Sequence, residues 1–486
     1  MRTLEHDWLS RMLWGATFDD FLIAPGWGVA TSRKDISLAS RFSENISLNI
    51  PLVSANMDTI TGARMAITMA KKGGMGIIHR YLSISDQCQK VEEVKREENF
   101  VIEKPYNISP DTTIGEARNI MRKNKVGGLV VVDKNSRLAG ILTDRDVRFC
   151  SDDECVEKRM TKSHSLITAR LSEISLAKAK EMIDKHRLEK LPLVDEDFIL
   201  KGLIASRDIQ NLEDFPLANK DKNGQLLVGA AIGATGDYLE RSAGLLEAGV
   251  DVLVLDIANA QSDVARNAVV RFRNRFPDAE LVVGNIVLPE AVDAFKDLRV
   301  NGFKIGLGPG SACTTRLNTN IGIPQAQAVY SCAMASKVPI CADGGIKRNG
   351  SVAEALLLGG SSVMVGGIFA GTDETPGLVF PDSTGKQVKA FRGMASREAM
   401  YEKLLAEEAD DPYETSSRMS PEGIERKVEY KGSVVPIISS MMGNLASTIS
   451  YMGAMSLEEA KEKFMNHPMR YLIKLSESAK RESWDR

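Results

Sequence analysis

Short apolar runs that stop at Gly, Asn or Asp recur along this chain. They are Pro51-Leu-Val-Ser-Ala-Asn56, Gly74-Met-Gly-Ile-Ile-His79, Leu226-Leu-Val-Gly-Ala-Ala-Ile232 and Asp251-Val-Leu-Val-Leu-Asp256, then Leu281-Val-Val-Gly-Asn285, Phe303-Lys-Ile-Gly306, Val338-Pro-Ile-Cys-Ala-Asp343 and Ser362-Val-Met-Val-Gly366. Near-continuous apolar strands suit a parallel sheet covered on both faces. Helical patterns lie between several of them, such as 237–248 and 351–358. Eight strands alternating with helices predict an α/β fold, a (β/α)8 TIM barrel; a doubly wound sheet is the competing architecture. A barrel gathers its chemistry at the carboxyl ends of its strands. There the sequence sets Asn56, Asp58, Asp256, Asn259, Asn285, Cys313, Asp343 and Gly366-Gly367.

The gap between the second and third runs is too long for one βα connection. It contains a duplication of about 60 residues. The first copy carries Asn107-Ile-Ser-Pro-Asp-Thr-Thr113, a helical stretch, Gly128-Leu-Val-Val-Val-Asp133 and Gly140-Ile-Leu-Thr-Asp-Arg-Asp146. The second carries Ser165-Leu-Ile-Thr, a helical stretch, Leu191-Pro-Leu-Val-Asp195 and Gly202-Leu-Ile-Ala-Ser-Arg-Asp208. The pair resembles tandem CBS domains, and Gly-Ile-Leu-Thr-Asp-Arg-Asp is the most specific signature. The expected organisation is a barrel of residues 1–97 and 213–486 interrupted by a CBS pair at 98–212, with copies at about 98–152 and 158–212. The resemblance implies adenine or guanine nucleotides in the clefts, with Thr143, Asp146 and Asp208 on ribose. Ala205 stands where the second copy would need a hydroxyl; an insert without ligand is the alternative.

The 486 residues carry a formal charge of −3, with 43% hydrophobic and 26% charged positions. Such a balance gives no electrostatic footprint for nucleic acid or an anionic membrane. Met1-Arg-Thr-Leu-Glu-His-Asp7 lacks the apolar core of a signal peptide, and no apolar stretch is long enough to span a bilayer. Six scattered cysteines without a CxxC pair point to reduced thiols and a cytoplasmic location. The five histidines lack ligand-like spacing, which argues against zinc.

One cysteine stands apart. Gly308-Pro-Gly-Ser-Ala-Cys313-Thr-Thr315 follows the apolar strand Gly302-Phe-Lys-Ile-Gly-Leu307. Glycine lets backbone approach a ligand closely, and hydroxyls and free N–H groups surround the sulfur. A thiol so presented is a candidate nucleophile. Cys88, Cys332 and Cys341, in apolar or helical contexts, read as packing residues. The loops after the seventh and eighth strands, Asp343-Gly-Gly345 and Gly366-Gly367, suit a phosphate and its ribose.

Residues 308–325 resemble the IMP dehydrogenase/GMP reductase family. So do Thr17-Phe-Asp-Asp20, Ser54-Ala-Asn-Met-Asp-Thr59, Gly284-Asn285, Ala342-Asp-Gly-Gly-Ile346, Val365-Gly-Gly367, Phe369-Ala-Gly-Thr372, Arg392-Gly-Met394 and Pro421-Glu-Gly423. The resemblance covers essentially the whole chain. It implies a purine nucleoside monophosphate substrate and a covalent bond from Cys313 to purine C2, with Thr315 and Glu422 handling protons. It places Ser54, Asn285, Ser311, Asp343, Gly345, Gly366, Gly367, Gly393 and Met394 on the substrate. Asp256, Asn259, Gly306 and Gly308 fall to NADPH or NAD, and the carbonyls of Gly308, Gly310 and Cys313 to K+. It further implies a homotetramer or homo-octamer. Phe391 replaces a tyrosine that in this family touches phosphate.

Dehydrogenases of this family hydrolyse their intermediate with an adjacent Arg-Tyr pair in a flap, here expected at about 393–432. The flap between Met394 and Pro421 has no Arg-Tyr; Glu407-Glu408 fall near that place, and its arginines are Arg397 and Arg418. Leu255-Asp-Ile-Ala-Asn259 and Thr415-Ser-Ser-Arg-Met-Ser420 also look like reductases, whereas Ala342-Asp-Gly-Gly-Ile346 and the flap length look more like a dehydrogenase. The expectation is GMP reductase (GMP + NADPH to IMP, NH3 and NADP+). The alternatives are IMP dehydrogenase (IMP + NAD+ + H2O to XMP + NADH) and a catalytically silent nucleotide sensor.

Overall fold

The computed structural model describes residues 2–97, 102, 105–124, 126–207, 209–210, 215–406 and 410–484. All eight apolar runs are strands of one closed parallel barrel: β1 (Leu52–Ser54), β2 (Met75–Ile78), β3 (Val228–Ile232), β4 (Val252–Asp256), β5 (Leu281–Ile286), β6 (Gly302–Ile305), β7 (Ile340–Asp343) and β8 (Ser362–Val365), with β8 pairing back onto β1. Each strand is followed by a helix: α1 (Ala63–Lys71), α2 (Ile84–Arg96), α3 (Tyr238–Glu247), α4 (Asp263–Arg275), α5 (Pro289–Phe295), α6 (Gln325–Ala335), α7 (Asn349–Leu357) and α8 (Val435–Tyr451). The two helices read from sequence are α3 and α7, with ends shifted by one or two residues.

Alternation explains why the strands look uniformly apolar. In β4, Val252 and Val254 pack in the barrel lumen, while Leu253 and Leu255 pack against the surrounding helices. Both faces are dry, so neither tolerates unpaired polar groups. Local signals then set the helix starts. Ser262 caps α4, its hydroxyl accepting from Ala265 N at 3.2 Å, and the helix buries Ala265, Ala268, Val269 and Phe272.

Beyond β8, strands Phe380–Pro381, Gln387–Arg392 and Glu425–Glu429 form an antiparallel sheet, with Arg392 opposite Glu425. The flap therefore springs from a hairpin base. Its carboxyl-terminal end is narrower than the sequence suggested, because residues 425–429 are strand. Within it, helices Arg397–Ala406 and Pro412–Arg418 flank residues 407–409; Glu407 and Glu408 lie outside the described residues.

The chain divides into two units, Met1–Glu97 with Leu217–Arg486, and Glu98–Pro216. In the second unit, Asn107–Ile108, Gly128–Val132, Leu138–Thr143 and Thr161–Lys162 make one sheet, with helix Ile114–Asn124. Ala169–Arg170, Lys190–Val194 and Leu200–Ala205 make the other, with helix Leu176–His186. The two halves share an apolar cluster of Val130, Leu138, Ile141, Val194 and Leu203. Among the described residues, no helix is long and apolar enough to cross a membrane.

Candidate active site

The cysteine loop leaves β6 and ends in the short helix Thr315–Thr319. Cys313 is half-buried, its Sγ 3.2 Å from the Thr315 hydroxyl. That hydroxyl donates to Glu422 Oε2 at 2.7 Å. A threonine hydroxyl has one hydrogen. With that hydrogen directed to Glu422, the contact to sulfur leaves Thr315 as acceptor, so the three groups form a directed path from thiol to carboxylate. The backbone fixes the path. Thr314 N donates to Glu422 O (2.8 Å), Ile424 N to Ala312 O (3.0 Å) and Glu422 N to Ala395 O (3.0 Å), while the Asn318 amide donates to Pro421 O (2.8 Å). A segment more than a hundred residues downstream is thus stitched along the cysteine loop.

A second group centres on Lys304, a residue quoted in the sequence reading only as part of a strand. Its Nζ lies 2.8 Å from Asp256 Oδ1 and 2.6 Å from Asp343 Oδ2, and it also donates to Asn285 Oδ1. Asn285 Nδ2 donates to Asp343 Oδ2 (2.9 Å) and to Gly306 O (2.6 Å). Burial alone would raise the Asp256 carboxyl; the Lys304 ammonium outweighs it, with help from Arg80 and Asn56, and holds the pKa below the ordinary value. Burial would lower Lys304, but the two carboxylates raise it and keep it charged. The signal was present: a lysine in the middle of an apolar barrel strand needs partners. Gly306 belongs to this packing, since at φ +151° a β-carbon would lie 2.1 Å from Asp343 O.

The remaining predicted residues sort as follows. Ser311 meets the loop after β8: a β-carbon on Gly367 would lie 2.6 Å from Ser311 Oγ, with Gly366 beside it and Gly345 after β7. Gly393 N donates to Ile424 O at 3.1 Å, and Met394 Sδ accepts from Asp58 N at 3.3 Å. Arg392 clamps Asp58 through Nε at 2.7 Å and Nη2 at 2.5 Å. Asn259 is exposed and caps its own loop, accepting from Gln261 N at 3.1 Å. Gly308 leaves room for Arg316, whose Nε donates to Leu307 O at 2.9 Å.

Ser54 is a correction. Its side chain is fully buried and its hydroxyl donates to Thr61 Oγ1 at 2.9 Å, since Thr61 gives its own hydrogen to Ala55 O at 2.6 Å; alternation turns Ser54 toward α1 while Val53 and Ala55 face the lumen. Asn56, two residues on, is the polar side chain of that strand end that reaches the cluster, through Asp256.

Among the described residues, no group of His, Cys, Asp or Glu could hold a metal, so a cation at the cysteine loop would rest on the carbonyls of Gly308, Gly310 and Cys313. Such an all-oxygen donor set suits a hard monovalent ion; Gly310 O already accepts from Cys313 N at 3.0 Å. In the other unit, Thr143 and Asp146 form a capping box, Asp146 Oδ2 accepting from Thr143 N and Oγ1 at 2.7 Å each. Asp208 lies outside the described residues.

The IMP dehydrogenase / GMP reductase domain model matches residues 15–485. The inosine-5'-monophosphate dehydrogenase of Nitrosopumilus maritimus is 44% identical over 92% of this chain and 94% of its own length, and that of Halalkalibacterium halodurans is 41% identical over 92% of each. Among solved structures, a cysteine-to-alanine variant of Trypanosoma brucei GMP reductase in complex with guanosine 5'-monophosphate superposes with a TM-score of 0.89 at 38% identity, covering 96% of this chain and 97% of that one. The same organism's GMP reductase with guanosine 5'-triphosphate gives 0.79 at 35%, covering 95% and 98%. With this fold, these strand ends and matches across nearly its full length, the chain belongs to the IMP dehydrogenase/GMP reductase family of NAD(P)-dependent oxidoreductases.

Proposed function

We propose that this protein is a GMP reductase, converting GMP, NADPH and a proton to IMP, ammonia and NADP+. The observation that carries this reading is the flap sequence, in which no Arg-Tyr pair occurs between Met394 and Pro421. Hydrolysis of a thioimidate-type intermediate needs water activated beside the purine. Arg418 pairs with Glu414 on an exposed helix turn and is followed by Met419, which supports the view that it does not stand in for the missing arginine.

Cys313 attacks purine C2, and its proton passes through Thr315 to Glu422. The same pair returns a proton to the departing amino group, a general acid–base contribution of about 10²–10⁴. Asp343 and Asn285 hold the ribose, and Ser311 with the loops of Gly345, Gly366 and Gly367 holds the phosphate; Met394 lies along the base. Asp256 orients the nicotinamide ribose; the dinucleotide, when bound, would supply the hydride to C2, and Cys313 leaves C2 as the thiolate and takes up the proton that the reaction consumes. Glu422→Gln should lower kcat by about 10²–10⁴ while leaving GMP affinity nearly unchanged.

The second unit is proposed to be a CBS pair that binds adenine or guanine nucleotides, with Thr143 and Asp146 at the ribose. The assembly is proposed to be a homotetramer or homo-octamer, with K+ at the cysteine loop. IMP dehydrogenase is the second reading, favoured by the identity to dehydrogenases of 40–44% over 92% of the chain. Absorbance of reduced nicotinamide separates the two. GMP with NADPH should lose it; turnover confined to IMP with NAD+ would overturn the reductase.

A further inference from the structure

Most partnered groups of the site stand on β4 to β8, with Asn56 and Asp58 after β1. Three buried polar atoms have no partner among the described residues: Asp58 Oδ1, His79 Nδ1 and Arg80 Nε. Asp58 follows β1 and meets Met394 and Arg392, whereas His79 and Arg80 follow β2, whose loop carries none of the residues assigned to the substrate. His79 is 5% exposed. Alternation sets its direction, since Met75 and Ile77 belong to the lumen cluster and Ile78 to the outer one, so His79 continues the lumen-facing row. A buried ring nitrogen aimed into a barrel mouth costs free energy unless something bonds it.

We propose that His79 is a binding residue for the nicotinamide half of the dinucleotide, its Nδ1 hydrogen-bonding the carboxamide. This rests on the reading of the site given above. In the closed strand order, β2 lies opposite β6, which presents Cys313, whereas β7 and β8 present the phosphate loops. A purine nucleotide held by Asn285 on β5, Cys313 after β6 and the loops after β7 and β8 leaves β2 to β4 for the second substrate, on the same side as Asp256. The carboxamide offers both a donor and an acceptor, and either suits a neutral imidazole. Burial, reinforced by Lys90, Arg392 and Arg241, keeps this ring neutral down to about 3. Arg80, whose charge reaches Asp256, would flank the same ligand.

The test uses the full chain carrying Cys313→Ala, so that nothing turns over. NADPH is titrated by nicotinamide fluorescence with GMP saturating, and GMP affinity is measured separately by calorimetry. His79→Leu should weaken NADPH about tenfold, leave GMP affinity within about twofold, and match or exceed the parent in Tm, because it removes an unpaired polar atom. His79→Asn, which keeps a polar atom near Nδ1, should recover part of the affinity and guards against a folding defect. Unchanged NADPH affinity in His79→Leu, the result expected if the ring holds only water, would overturn the proposal. So would an equal loss of GMP affinity, which would assign the ring to the purine. If the parent binds NAD+ with IMP and not NADPH with GMP, the reductase reading has failed, and the same comparison on NAD+ decides the role of His79.

Discussion

Two buried lysines, each between two aspartates, sit near opposite ends of β4. Lys304 joins Asp256 at the carboxyl end to Asp343; Lys95 joins Asp251, just before the strand begins, to Asp221 (2.6 and 3.1 Å). The two clusters look alike and behave differently. At the upper end, Asn56 and Asn285 add donors and Arg80 adds a positive charge, and the Asp256 pKa falls. At the lower end, burial is the larger effect; Lys95 and Val228 N oppose it without overcoming it, Asp221 adds repulsion, and the Asp251 pKa rises. The lower cluster ties the beginnings of β3 and β4 to α2, where conservation of shape is all a barrel requires. The upper one holds three groups ready for a ligand, and its aspartates stay 21% exposed, against 10% and 15% below. Partner number and hydration, rather than residue type, separate the lower cluster from the one proposed to meet a ligand.

Replacing the lysines breaks this comparison most directly. Lys304→Met should lower kcat/KM by about 10²–10⁴, through misplaced Asn285 and Asp343 as much as through lost charge. Lys95→Met should leave kcat per folded molecule within about twofold but cost roughly 3–5 kcal/mol of stability, because two poorly hydrated carboxylates lose their cation. Urea unfolding alongside steady-state kinetics reads both. A Lys95→Met enzyme that is stable but slow would show the lower cluster to be part of the working site.

Acid titration gives a smaller effect of opposite sign at the two ends. The depressed Asp256 contributes stability that is present above its unfolded pKa, about 3.9, and lost as pH falls through its folded value. The raised Asp251 contributes stability that is full below about 3.9 and lost as pH rises through its folded value. Asp256→Asn should therefore flatten the acid limb below about pH 4. Asp251→Asn should gain on the parent as pH rises above about 4. Denaturant unfolding from pH 3 to 7 checks both; a shift of the same sign in each variant would dissolve the distinction.

The sequence disclosed the barrel because each strand is an apolar run with a polar stop, a pattern that survives without knowledge of neighbours. It also pointed to Cys313 as a candidate, through the glycines around it. Lys304 was hidden in plain view, because its partners lie on β4, β5 and β7, and only closure of the barrel brings them together. Glu422 had the same difficulty and was found by resemblance alone. Ser54 misled for a simpler reason: a hydroxyl at a strand end reads as a ligand until the alternation of Val53 and Ala55 turns it outward. His79 likewise stops its run, yet nothing local distinguishes a strand-end histidine that binds from one that packs.

The finest comparison is between the two walls of the proposed phosphate loop, one polar at Ser311 and one apolar at Phe391. Phe391 is 1% exposed, with the Arg426 guanidinium 5.2 Å from its ring centre. Its Cζ, where a tyrosine would carry its hydroxyl, lies 3.8 Å from the point a β-carbon on Gly367 would occupy. In Phe391→Tyr that hydroxyl enters the loop on the side facing Ser311. Without nucleotide the added oxygen crowds a ring that is already fully packed, so the variant should lose roughly 1 kcal/mol of stability. With GMP bound it gains a charged acceptor, and affinity should rise about two- to tenfold, seen as a lower KM at constant kcat. The two changes have opposite sign in one variant, which a general disturbance of packing does not produce. A variant destabilised with no gain in GMP affinity would place the phosphate elsewhere than Ser311 and Gly367.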